Sequence, residues 1–143
     1  MAAISVTAAS VERISGATKT VTAGATVTAG QPVYKDITDG NAYKAAINTS
    51  NLAANVEGIA LGGAARTQKF VIQTTGKIDI GATTAAGHPY GVGDAAGEIV
   101  EWDTNGASSV QIASGEFGTF LGVGLDTVGT VLLKITPSGK AVA

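Results

Sequence analysis

The chain has no cysteine, so neither a disulfide framework nor a thiolate metal site is open to it. Histidine and tryptophan occur once each, at His88 and Trp102. Aromatic residues are 5% of the 143 positions, so any core is aliphatic and thin, which suits β-layers better than bulky helices. Charged residues are 14%, about half the usual share, as on surfaces that partners cover or that Ser, Thr and Asn keep soluble. Nine basic and eleven acidic side chains leave a net charge of −2 with no Lys/Arg block, so the electrostatic footprint of nucleic-acid binding is missing. No apolar run approaches the ~20 residues that span a bilayer. Met1 to Val6 lacks the basic region and apolar stretch of an export signal. The expectation is a chain made in a cytoplasm, without nucleic-acid or membrane partners.

Catalytic constellations are equally scarce. His88 precedes Pro89 in a glycine-rich stretch, and no Gly-x-Ser-x-Gly elbow accompanies it. A turn or surface histidine is the better reading. An imidazole meeting an acid and a hydroxyl in a solvent-lined cleft would contradict it. With one histidine, a metal would need dispersed carboxylates. Glu98, Glu101 and Asp103 are close in sequence, but Glu98 and Glu101 fall on opposite faces of a strand. Gly87 to Gly97 is one residue off the dinucleotide fingerprint and has no βαβ unit around it. The chain therefore reads as no enzyme, with no cofactor and no metal.

What is present is β signal. Phe70-Val71-Ile72-Gln73 and Lys77-Ile78-Asp79-Ile80 alternate with period two, and Thr74-Thr75-Gly76 between them has hairpin-turn chemistry. Gly58-Ile59-Ala60-Leu61 reads as a short apolar strand ended by Gly62-Gly63. Val21 to Gly30 reads as one strand broken by a bulge or turn, and Pro32 opens another. Ala42 to Ala46 has helical propensity. Ser50 caps one helical turn at Asn51–Ala54, and Ser114 caps a looser one. Gly81 to Gly97 is the longest irregular region. Glu98 to Trp102 is a strand with Val100 and Trp102 on one face; Asp103 to Gly106 is a turn, and Val110-Gln111-Ile112 resumes a strand.

The second half echoes the first. Leu121 to Leu125 mirrors Glu57 to Leu61, Thr130 to Ile135 mirrors Lys69 to Gln73, and Pro137 to Lys140 mirrors Thr75 to Lys77. Ala29-Gly30-Gln31-Pro32 returns as Ala86-Gly87-His88-Pro89. Two copies are too few for a solenoid, which needs at least ~3 units. The expected fold is all-β: a compact barrel-like sandwich with one or two short helical turns. It occupies residues 21–143 as one domain, in pseudo-repeat halves of about 24–81 and 82–143. Residues 1–20 precede it as an edge strand or an extended arm that orders on a neighbouring subunit. Nothing equivalent precedes the second copy. Candidate interface residues are Ile4, Val6, Val11 and Arg13 in this segment, together with Trp102. As a residue in a strand, Trp102 reads first as core and second as an interface anchor.

From Ala29-Gly30-Gln31-Pro32-Val33-Tyr34 through Ser50, Asn55 to Leu61 and Val71 to Gly76, the chain resembles the capsid decoration (cement, head-stabilising) proteins of tailed bacteriophages. The likeness is to those with a small β-barrel or β-tulip domain, and covers roughly Thr22 to Ile80. It departs at Thr67-Gln68-Lys69, where the family tends to place glycine. The resemblance implies a non-enzymatic virion protein on the outer surface of the mature head. Its partners would be the major capsid protein and itself, as a homotrimer or a dimer. Another virion part, a tail-tube subunit or the capsid-anchoring domain of a head fibre, is the alternative. A tail-tube subunit would bring a long β-hairpin and a flanking helix, and the sequence displays neither.

Overall fold

The computed structural model describes residues 2–102 and 115–141. Among them twelve strands follow one another: β1 (Ala2–Ala3), β2 (Val11–Arg13), β3 (Thr18–Thr22), β4 (Pro32–Asp36), β5 (Ala42–Ala45), β6 (Val56–Ala60), β7 (Lys69–Gln73), β8 (Gly76–Ile80), β9 (Pro89–Val92), β10 (Ile99–Glu101), β11 (Phe117–Gly124) and β12 (Thr130–Ala141). Helix among the described residues is limited to a 3-10 turn at Ala8–Ser10 and α1 (Asn51–Ala54). The hydroxyl of Ser50 caps α1 by accepting from the Ala53 N–H at 3.1 Å. The fold is the all-β, barrel-like sandwich that the alternation pattern predicts.

Two antiparallel sheets form, in the orders β1-β10-β9-β11-β12-β8-β2 and β3-β7-β6-β4-β5. The second sheet curls until its edges meet: Ala23 bridges Tyr43, and the Gly24 N–H donates to the Tyr43 carbonyl at 2.8 Å. Its interior holds Val21, Val27, Val33, Tyr43, Phe70 and Ile72, which are buried. Its outer face supplies Val56, Ile59 and Ala46 to a second core. There they meet Ile78, Ile80, Tyr90, Val92, Leu121, Val131 and Leu133 from the inner face of the seven-stranded sheet.

Strand order makes the duplication visible. Read from one edge, β5-β4-β6-β7-β3 in one sheet repeats as β10-β9-β11-β12-β8 in the other. Both copies bulge at the same place, at Glu57 opposite β4 and at Leu121 opposite β9. Gly58 and Gly122 follow those bulges, and both lie against the carbonyl of the next strand. A Cβ on Gly58 would stand 2.6 Å from the Gln73 oxygen, and one on Gly122 would press on the Leu132 oxygen more closely still. The copies therefore divide at the β7–β8 connection, and β3 is the counterpart of β8. Segment 2–15, carrying β1 and β2, has no counterpart. Pro137 to Lys140 lies inside β12 and mirrors no turn.

Four other sequence expectations give way. Thr74-Thr75-Gly76 does not close a hairpin: β7 and β8 belong to different sheets. Gly76 does take φ +84°, but the chain changes layer there. The buried Gln73 amide sets that change by donating to the carbonyls of Ser15, Thr75 and Lys77 at 2.7–2.8 Å. Of the expected helical stretch Ala42 to Ala46, Ala42–Ala45 is strand, because pairing with β4 buries Tyr43 and overrides local propensity. The irregular region 81–97 contains β9, in which Gly91 separates the buried Tyr90 and Val92 and hides their alternation. Finally, β3 stops at Thr22, and beyond it only the isolated bridges at Ala23 and Val27 continue the run to Gly30. The expected cap at Ser114, turn at 103–106 and strand at 110–112 lie outside the described residues.

Candidate functional site

Segment 2–15 forms a strap across the seven-stranded sheet. β1 pairs with β10 at one edge and β2 with β8 at the other. Between them the Ile4 N–H donates to the Ile99 carbonyl at 3.0 Å and the Thr7 N–H to that of Gly81 at 2.7 Å. Ile4 and Val11 are half-buried against the second core. Val6 sits over Gly30, where any side chain would collide with it. Arg13 is exposed, and its Nε donates to the Gly16 carbonyl at 2.8 Å. These four candidate interface residues thus pack on, or fold back against, their own chain.

Trp102 is placed differently. Tyr90 and Val92 point into the core, so Gly91 faces outward, and the Trp102 indole lies over it. The indole packs against Phe120 with ring centroids 5.9 Å apart. Its Nε1–H is buried and has no hydrogen-bond partner among the described residues. Val123 and Leu132, half-buried and outside the core, extend this outer face, and Val100 underlies it. Trp102 therefore belongs to neither core cluster, contrary to the reading of it as a core residue.

The duplication explains why that face is apolar. Val56 and Ile59, which dock the first copy onto the second, correspond to Phe120 and Val123. Tyr34 and Ala46 of the same docking face correspond to Gly91 and Trp102. The outer face of the second copy is thus the equivalent of a face that is covered in the first. The Glu57-to-Leu121 spacing leads to Phe120 and Val123 only once the structure shows that Val56 and Ile59 form a docking face.

His88 is not a free turn histidine. Its Nδ1 pairs with Glu101 Oε1, and both side chains are about one-third exposed. Glu101 also reaches the Tyr90 phenol, whose pKa is pushed up by burial and then by that carboxylate. Acid, imidazole and hydroxyl are therefore grouped. The phenol, however, is buried in the core and accepts the Ala85 N–H at 2.9 Å, so it is not offered to a cleft. The group clasps β9 to β10. A polar groove of about 480 Å³ lies elsewhere, bounded by Thr7, Ser10, Asp79, Thr83 and Thr127. No cluster of three or more metal-ligating side chains occurs among the described residues.

The first copy carries a network of paired charges. Asp36 accepts from the Thr38 hydroxyl at 2.6 Å and from Lys44 at 2.9 Å, which lowers its pKa to about 2. Lys44 also pairs with Asp39 at 3.0 Å, and Asp39 with Arg66 at 3.4 Å. Lys19 donates to the Tyr43 phenol at 3.0 Å, and that phenol to Glu57 at 3.0 Å. The opposite charges in these clusters satisfy one another. Compared with known protein families, curated proteins and solved structures, the chain matches none of them.

Proposed function

We propose that the chain is a structural virion protein that binds the exterior of the mature phage head and stabilises contacts between major capsid protein subunits. The observation that carries this reading is the apolar outer face built by Trp102, Phe120, Val123 and Leu132 on a chain otherwise poor in charge. A large aromatic anchor ringed by aliphatic side chains is the kind of patch that concentrates binding energy. The resemblance of residues 22–80 to decoration proteins gives that patch its partner. On this reading the protein performs no catalysis and acts by mass action: a ligand of the expanded lattice alone stabilises that lattice. Many copies on one shell add avidity, and a homotrimer or dimer multiplies it further.

The test is binding of purified protein to expanded, undecorated heads of its phage. Saturable binding and a raised head-disruption temperature are expected, and both should be lost in Phe120→Asp while the far-UV spectrum is kept. Absence of binding at saturating protein would sink the proposal. One observation favours a tail-tube subunit instead: β11 and β12 form a long hairpin of 8 and 12 residues. No flanking helix accompanies it among the described residues. Self-assembly into hollow tubes would support that reading.

A further inference from the structure

We propose that the strap is exchangeable: the edges of β8 and β10 accept residues 2–15 of a second copy of this chain. The seven-stranded sheet has two open edges that its own repeat unit does not close, and the strap covers both with ladders of only two and three residue pairs. Between those ladders it borders the polar groove at Thr7, Ser10 and Asp79 and is held by two backbone bonds, from Ile4 and Thr7, and by the Val6 side chain. What fits the two edges is this particular sequence. Val6 needs the absent side chain of Gly30, and Ile4 and Val11 complete the core. The occupant from outside that matches is therefore the same segment of another copy.

Every contact of the strap is the same in cis and in trans. Only the connection at Ser15-Gly16-Ala17 distinguishes the two. Gly16 sits at φ +113°, with the Thr75 carbonyl where a side chain would be, so the hinge turns through a conformation that few residues adopt. In dilute solution the tether favours its own edges. Copies crowded together raise the effective concentration of the neighbour's strap and favour exchange. The exchange does not depend on what the outer face binds.

The absence of native cysteine makes the test direct. Ala3 and Val100 face each other across β1 and β10. Chains carrying Ala3→Cys and chains carrying Val100→Cys are mixed at high concentration, warmed, cooled and oxidised, and intact masses are read without reductant. The expected result is a mixed disulfide dimer about tenfold above either homodimer, since only exchange brings the two positions together. Mixed and like dimers in the proportion of random collision would overturn the proposal, as would failure of the double variant in one chain to close internally. Glu12→Cys with Asp79→Cys reads the other edge by the same criterion.

Discussion

The two copies of the repeat solve one problem in two ways. Each builds the same five-strand order with the same bulge, and each is left with two open edges, a known liability of β-sheets. In the first copy β3 and β5 curl into contact at Ala23 and Tyr43, and the interior fills with its own side chains. The second copy stays open enough to receive the outer face of the first, so its edges cannot meet. The strap then covers them from outside the repeat. Duplication thus supplied two ladders of the same strand order, while the docking of one on the other decided which had to borrow strands.

The junction is where this comparison breaks most easily. Gln73→Glu should place a carboxylate against three carbonyls with no compensating cation, and cost about 3–5 kcal/mol by denaturant unfolding. A cost below that of a surface substitution would mean that the amide does not hold the layer change. Next in size, Gly58→Ala and Gly122→Ala should each lose about 1–3 kcal/mol, because both force a methyl onto a carbonyl. Losses that differ widely would deny that the two bulges are equivalent. Truncating the strap, Val11→Ala should cost about 1 kcal/mol, since the side chain is only half-buried.

The smallest effect is acid-specific and is read at Asp36 in the first copy. The Asp36 carboxyl is held well below its usual 3.8, at about 2, by the Thr38 hydroxyl and Lys44. A depressed pKa contributes stability that is whole above 3.8 and fades as pH falls toward 2. Asp36→Asn should therefore be less stable than wild type near neutrality, with the difference closing across that interval. A constant gap over the same pH range would contradict this origin.

Much of the fold was legible because period-two alternation survives wherever apolar residues occupy both inward positions, as at Phe70 and Ile72 or Ile78 and Ile80. It failed where an outward glycine broke the pattern, at Gly91, and where small residues masked strand character, at Ala42 to Ala45. The turn at Gly76 was read correctly as a positive-φ glycine and wrongly as a hairpin. Local chemistry is the same for a chain reversal and a change of layer; the long-range contacts of Gln73 decide between them. Of the candidate site, Trp102 was visible as the lone indole. Phe120 and Val123 were not, since strand residues of one sheet look alike until the sheet's inner face is known. Ile4, Val6 and Val11 were read as interface candidates, and in this structure they pack on their own chain.

Hydrogen exchange followed strand by strand most directly tests the claim that the second copy owes its closure to the strap. Wild-type chain and Val11→Asp are compared at one pH and temperature. Faster exchange in β8 and β10, with β3 and β5 unchanged, is the predicted result. Equal acceleration in both sheets, or none in either, would contradict it.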